Sequence, residues 1–227
     1  RIFRKTVDGR YQFYLQLVLE GTPPDKHPMG SGRCGVDIGP STAATVSETD
    51  CSLKVLAPEA ESIEREQRIL LRKMDRSRRA MNPDNYNPDG TVRKDPKRWK
   101  KSNTYKETER RYQNLCRKRA DIVKQSHERE ANRLIAQADQ FYVESMNFQG
   151  LARRAKETKR DESGRCKRKN RFGKSIGNRA PSKFLTILEQ KLKVRGGCLH
   201  WIDTISFKAS QYDHHTDTCR KKTLSER

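Results

Sequence analysis

The sequence lacks the marks of a disulfide-rich, secreted or membrane-spanning protein. Its six cysteines include no C-x-x-C pair, and no signal peptide opens the chain, so we expect free thiols in a reducing compartment. No apolar run approaches the ~18 residues that a membrane-spanning helix needs. Aromatic residues are only 7% of the chain, which argues against extensive stacking on bases. Because the sequence begins at Arg1 and stops at Arg227, we expect it to be part of a longer protein.

Acidic residues are scarce relative to basic ones. The chain has 50 Lys and Arg against 29 Asp and Glu, which gives a formal net charge of +21 over 227 residues. This excess predicts a polyanionic partner rather than a neutral ligand. A membrane surface is the weaker candidate, since no Trp/Phe-rich amphipathic segment is present. With 32% hydrophobic and 35% charged residues, part of the chain cannot be packed core. We therefore expect nucleic acid as the partner, and no membrane.

Hydrophobic patterning predicts an α/β protein interrupted by a helical segment. Short apolar or alternating runs between turn residues predict strands, three of them closely spaced as an antiparallel meander. The predicted strands are residues 10–20, 33–38, 42–49, 52–57, 140–148 and 198–207. Amphipathic spacing predicts three helices, the last with Pro181 at its start and Gly196 after its end. These helices are residues 58–81, about 103–139, and 181–197. We expect the first two to form a helical hairpin inserted at 58–139.

Two carboxylates stand within apolar strands. Asp37 lies in GVDIG and Glu144 in QFYVESMNF, and a carboxylate in a buried strand is costly without a cation or hydrogen-bond donors. Paired carboxylates suit divalent-metal phosphodiester hydrolysis, because Mg²⁺ prefers oxygen ligands and two ions stabilise the attacking and leaving oxygens. The plainer alternative, that each acid only ends a strand or faces solvent, stays open on periodicity alone.

The segments around these acids resemble motifs of a known nuclease family. CGVDIGPSTAATVS resembles the first RuvC motif of the TnpB-type transposon-encoded nucleases and the related type V CRISPR effectors. FYVESMNFQGLARR resembles the second RuvC motif. GRYQFYLQLVLEGTPP resembles the last strands of the family's guide-RNA-binding β domain, and APSKFLTILEQKLKVRGGCLHWID resembles the helix and strand after the second motif. The resemblance spans most of the chain in the family's order.

The resemblance implies a fold, an activity and a domain order. It implies an RNase H-like (RuvC) mixed sheet with the long helical hairpin inserted, in an RNA-guided DNA endonuclease of a mobile element, located in the prokaryotic cytoplasm (cytosol or nucleoid). Asp37 and Glu144 would be the catalytic acids that bind Mg²⁺ or Mn²⁺, and DNA and a guide RNA would be the partners. The implied segments are 1–32 as the end of the β domain and a linker, 33–207 as the nuclease domain with hairpin 58–139 and basic loop 151–180, and 208–227 as the start of a degenerate zinc-finger-like segment.

The last part of the sequence, from about residue 203, lacks two features of the family. The family's third acid lies in a motif beyond a zinc-binding segment, and neither Asp203, Asp213 nor Asp217 stands in such a motif. In HHTDTCRKK, Cys219 occupies the place of a first zinc-binding cysteine, but Lys222 stands three residues further on. A tetrahedral zinc site needs about four sulfur or nitrogen ligands, so we expect no zinc.

A cluster of basic residues follows the second motif. Residues 151–183 contain 13 Lys and Arg against three acids, which predicts a mobile basic loop rather than packed structure. Eight residues of this stretch are candidates for contact with nucleic-acid phosphates: Arg153, Arg154, Arg160, Arg165, Lys167, Arg168, Lys169 and Arg171. A solvated charge run without a ligand is the alternative.

Three functional hypotheses follow from the sequence. The first is the metal-dependent nuclease core of an RNA-guided DNA endonuclease. The second is a catalytically incomplete protein that binds RNA-guided targets or DNA and RNA in general, since no third acid is visible. The third is a basic helical structural protein, which would place Asp37 and Glu144 far apart. Whether the chain is an enzyme is therefore open at this stage.

Overall fold

Two compact units make up the chain. The computed structural model describes residues 1–7, 9–21, 28–95, 98–153, 161–164, 172–207, 211–213 and 215–220. One unit contains Arg1–Pro24 and Pro58–Gln125, and the other contains Asp25–Ala57 and Ser126–Arg227. The division by function into 1–32, 33–207 and 208–227 stays a prediction.

The first unit combines a β-hairpin with the helical insertion. Strands β1 (Ile2–Val7) and β2 (Arg10–Leu15) pair antiparallel. Strand β2 lies within the predicted strand 10–20, whereas the patterning does not indicate β1. Helix α1 spans Glu61–Met81, and helix α2 spans Asn103–Ile135, of which the part up to Gln125 belongs to this unit. Both predicted helices are confirmed, although α2 ends before residue 139.

Contacts between α1 and α2 support the predicted hairpin. Ile63 of α1 is buried, and one turn later the buried residue is Gln67. The Nε2 of Gln67 donates a hydrogen bond of 3.1 Å to the Sγ of Cys116, and Arg119 donates one of 3.2 Å to its Oε1. A glutamine is tolerated in this seam because both ends of its amide are paired.

The connection between α1 and α2 is held by a buried asparagine. The Nδ2 of Asn82 donates to the carbonyls of Arg78 and Lys100 at 2.8 and 3.0 Å, and its Oδ1 accepts from the Lys100 N–H at 2.7 Å. Nearby, Trp99 packs edge to face against Tyr86, with ring centroids 5.8 Å apart. Trp99 therefore contributes to packing at the hairpin tip.

The second unit is built on a five-stranded mixed sheet, so the predicted α/β class is confirmed. The strand order is β5-β4-β3-β6-β7, with β3, β4 and β5 antiparallel and with β3, β6 and β7 parallel. The predicted meander is therefore confirmed. The strand bounds are Arg33–Ile38 for β3, Thr42–Ser47 for β4, Cys51–Val55 for β5, Gln140–Glu144 for β6 and Cys198–Ile202 for β7.

One face of this sheet carries the core of the unit. Alternate residues of β3 and β6 are buried, among them Val36 and Val143. They form a cluster with side chains from the last turns of α2 and from helix α5 (Pro181–Arg195), including Leu134, Phe184 and Leu188. Helix α5 ends as predicted, because Gly196 adopts the left-handed conformation with φ +81° that glycine reaches without strain.

Several predicted boundaries in the second unit are wrong. The strand predicted over 140–148 ends at Glu144, and helix α3 begins at Phe148 and ends at Ala152. The strand predicted over 198–207 ends at Ile202 and is followed by α6, a short helix over Thr204–Phe207. The predicted basic loop is helical over Gly173–Arg179 (α4), because Ile176 packs against the core and offsets a local sequence that is poor in helix formers.

The polar tail contains two short strands. Strand β8 is Tyr212–Asp213 and pairs antiparallel with β9, Thr218–Cys219. The sequence patterning predicts neither of these two strands. Among the described residues, no helix combines the length and apolar character required to span a bilayer.

Candidate functional site

The sheet of the second unit places Asp37 and Glu144 side by side. Strands β3 and β6 are parallel neighbours, and their register pairs Arg33 with Gln140 through to Val36 with Val143. The next step of the same register aligns Asp37 with Glu144. Neighbouring strands lie about 4.8 Å apart, so these two acids occupy adjacent positions at the carboxyl ends of two parallel strands.

Both acids lie on the face of the sheet opposite the core. Val36 and Ile38, which flank Asp37, are buried, whereas Asp37 is exposed. Val143 is buried, and Glu144 is half-buried. Successive side chains of a strand point to opposite faces, so the hydrophobic residues that anchor each strand also direct its acid away from the core. The apparent conflict of an aspartate in an apolar strand is thereby resolved.

Hydrogen bonds at the other end of the strands fix this register. The N–H groups of Asp139 and Gln140 donate to the Gly32 carbonyl at 3.3 and 3.1 Å, and the Gly32 N–H donates to Asp139 Oδ1 at 3.0 Å. Gly30 lies so close to the end of α2 that a Cβ would approach the Ala136 carbonyl oxygen to 2.6 Å. The chain can reach β3 by this path only because residue 30 has no side chain.

The segment after Glu144 is also held in place. The Ser145 N–H donates to the Ile202 carbonyl at 3.0 Å, which continues the pairing of β6 with β7 one residue past the acid. Asn147 then caps helix α3, because its Oδ1 accepts a 2.8 Å hydrogen bond from the Gly150 N–H. Glu144 therefore lies at a strand end whose following residues, Ser145 and Asn147, are held by hydrogen bonds, and not on a free loop.

No third acid joins the pair within the part of the chain that the structure describes. No group of three or more His, Cys, Asp or Glu residues suited to a metal ion occurs there. Asp203, the next residue after β7, accepts a 3.0 Å hydrogen bond from the Ser206 hydroxyl. Cys219, the zinc candidate, is exposed in β9, opposite Tyr212. The two carboxylates are oxygen donors of the type that Mg²⁺ and Mn²⁺ prefer, so the residues present fit a divalent metal with two protein ligands.

Most of the proposed phosphate-contacting residues lie outside the described residues. Of the eight, only Arg153 is described: it follows α3, is exposed, and donates its backbone N–H to the Gly150 carbonyl at 3.2 Å. The predictions for the other seven fall on residues that the structure does not describe: Arg154, Arg160, Arg165, Lys167, Arg168, Lys169 and Arg171.

Sequence reasoning missed an aromatic pair on the acid-bearing face. The rings of Tyr142 in β6 and His200 in β7 stack with centroids 4.9 Å apart and an interplanar angle of 22°. Tyr142 is two residues before Glu144 and therefore shares its face. The strict alternation of QFYVE would have identified Tyr142, but the register that brings His200 beside it comes from β7.

Two other polar groups in this unit have structural roles. His127 is buried, its Nε2 lies 2.8 Å from the Arg179 carbonyl oxygen, and its ring meets Phe184 edge to face. Asp50 accepts from Arg133 at 2.7 Å and from Gln137 at 3.2 Å. The hydrogen bond from Gln137, followed by that from Arg133, lowers the pKa of Asp50. These contacts tie the end of α2 to its neighbours and lie apart from the acid pair in sequence and strand position.

No protein-family model matches the chain, and no curated protein matches it. Any chemistry proposed for the acid pair therefore rests on the strand register, on the burial pattern of the two strands, on the charge of the chain and on the resemblance of the two segments to RuvC motifs.

Proposed function

We propose that the second unit is an RNase H-like, metal-dependent nuclease core that hydrolyses DNA phosphodiesters at Asp37 and Glu144. The single observation that carries this proposal is the register of β3 and β6, which aligns the two acids on the exposed face of the sheet. A sheet that combines an antiparallel meander with parallel strands and carries acids on adjacent central strands is compatible with the RNase H-like fold. The resemblance of both segments to RuvC motifs supports the same assignment.

Each acid would act as a ligand for Mg²⁺ or Mn²⁺. When bound, the metal supplies an activated water and neutralises charge on the phosphate. The carboxylates of Asp37 and Glu144 are held rigidly, because both residues lie on paired strands and not on loops. The net charge of +21 attracts the polyanionic substrate, and its contribution falls as the salt concentration rises. The RNA-guided, transposon-associated setting is part of the same proposal and is supported by the resemblance alone.

Metal binding tests the acid pair directly. We expect Mn²⁺ to bind the wild-type chain, as measured by electron paramagnetic resonance. Asp37→Asn or Glu144→Gln should weaken this binding by at least about tenfold. Glu189→Gln is a matched control, because Glu189 is an exposed acid on α5 of the same unit. Its binding should equal that of the wild type.

Cleavage tests the reaction. We expect any Mg²⁺-dependent nicking of supercoiled DNA to disappear in the Asp37→Asn and Glu144→Gln variants and to persist in Glu189→Gln. Nicking and Mn²⁺ binding that survive both substitutions would refute the assignment of the acids.

The second candidate function is nucleic-acid binding without cleavage. It is favoured by one observation, the pairing of only two acids where the described residues offer no third metal ligand. This candidate predicts salt-sensitive binding to DNA or RNA that is unaffected by Mg²⁺ and by Asp37→Asn. The nicking assay separates the two functions, since the nuclease requires both the metal and the acids.

A further inference from the structure

A row of residues across the exposed face of the sheet lies next to the acid pair. Strand register places Val46, Gly35, Tyr142 and His200 side by side on β4, β3, β6 and β7. Gly35 and Tyr142 precede Asp37 and Glu144 by two residues, so this row and the row of acids share a face. Two residues along a strand span about 6.6 Å, a separation of the order of one nucleotide unit.

The Tyr142–His200 pair forms a supported aromatic surface in this row. The rings stack at 4.9 Å, and the Nε2 of His200 lies 2.8 Å from the Oε1 of Gln140, which restricts rotation of the imidazole. Tyr142 is half-buried and His200 is exposed. Stacked and oriented rings of this kind lose little conformational freedom when a further planar group packs against them. Such a surface suits a base more than a phosphate.

Gly35 leaves a notch between Val46 and Tyr142. A Cβ built on Gly35 would meet nothing closer than the Val46 carbonyl oxygen, at 4.0 Å. Gly35 is not among the glycines with positive φ, so its backbone does not require glycine. The effect of this glycine is therefore on the surface: it removes a side chain beside the acid row, between Val46 and the aromatic pair.

We propose that Tyr142 and His200 stack on the base of the nucleotide adjoining the scissile phosphate, and that the Gly35 notch admits this nucleotide. This proposal rests on the nuclease function proposed above and extends it by naming the residues that position the substrate. Asp37 and Glu144 would hold the metal that meets the reacting phosphate, and the aromatic pair holds the neighbouring nucleotide one row away. The protein then contacts both the phosphates and the bases of a single nucleic-acid strand.

A comparison of two oligonucleotides in EDTA tests the aromatic pair without involving the metal. The probes are a fluorescein-labelled oligo(dT) and an abasic strand of the same length, which carries the same phosphates but no bases. We expect the wild type to bind oligo(dT) about tenfold more tightly than the abasic strand, since stacking on one base contributes of the order of a tenfold change. His200→Ala should remove this preference while leaving affinity for the abasic strand unchanged.

Three further variants give the controls. His200→Phe keeps a stacking ring and should retain the preference for oligo(dT). If His200→Ala acted only by disturbing the local structure, His200→Phe would lose the preference as well. Trp201→Ala removes an exposed aromatic side chain from the adjacent position of β7, on the other face of the strand, and should also retain it. Gly35→Val fills the notch with a residue that suits a strand and should abolish the preference.

The outcomes separate this proposal from the nuclease proposal. Equal binding of the two probes by the wild type, or an unchanged preference in His200→Ala, would overturn the role of the aromatic pair. Because the assay contains EDTA, neither result depends on Asp37 or Glu144. Failure of the Mn²⁺ and nicking tests would instead overturn the role of the acids.

Discussion

The packing of helix α5 against the sheet gives the most demanding test of the fold that supports the site. Leu188 is fully buried in the core cluster, on the face opposite Asp37 and Glu144. Leu188→Ala removes three carbon groups, which corresponds to about 2.4 kcal/mol at ~0.8 kcal/mol for each group. The cavity left behind adds to this loss, so we expect the free energy of unfolding to fall by about 3–4 kcal/mol.

A matched variant on the same helix calibrates this value. Val194 is 74% exposed on α5, so Val194→Ala should change the free energy of unfolding by no more than about 0.5 kcal/mol. Unfolding in urea can be monitored by hydrogen exchange of peptides from β3 and β6. This readout reports on the second unit separately from the helical hairpin. If Leu188→Ala is no more destabilising than Val194→Ala, α5 does not cover the sheet, and the assignment of the acids to the exposed face loses its basis.

Two further predictions concern ionisable groups of the same unit. The folded state lowers the pKa of Asp50 through Gln137 and then Arg133, so the resulting stabilisation is present above about pH 4. This stabilisation is lost as the pH falls through the folded pKa. Urea midpoints measured at pH 5 and pH 3 should therefore differ less in Asp50→Asn than in the wild type, and an equal difference would contradict this role. Burial raises the pKa of the Cys34 thiol, so iodoacetamide should modify the exposed Cys198 long before Cys34. Peptide mass spectrometry measures the two rates, and equal rates would contradict the burial of Cys34 in β3.

The sequence patterns that predicted structure correctly are those in which local and tertiary preferences agree. Strand β3 alternates buried and exposed residues over the predicted range 33–38. Helix α5 has proline in its first turn, apolar residues facing the core, and Gly196 at its end. In both elements the residues that favour the local conformation are also those that the core needs. The position of Asp37 on the exposed face follows from the same alternation.

The features that the sequence did not reveal depend on contacts between distant residues. Helix α4 contains two glycines in GKSIGNR, and its helical form is supported by the packing of Ile176 on the core and by a 2.7 Å hydrogen bond from Arg179 to the Ala57 carbonyl. The pairing of Tyr142 with His200 likewise requires the parallel register of β6 and β7. Periodicity along one segment contains no information about which neighbour a strand will have.

The register of β3 and β6 links the stability of the second unit to its proposed chemistry. Because side chains alternate with a period of two, a slip of one residue would bury Asp37 or Glu144 and expose an apolar neighbour. The Gly32–Asp139 hydrogen bonds and the buried Val36 and Val143 oppose this slip. The core therefore does more than stabilise the sheet: burial of one set of alternate residues determines which acids meet on the other face. The proposed metal site would therefore need no dedicated loop to bring Asp37 and Glu144 together.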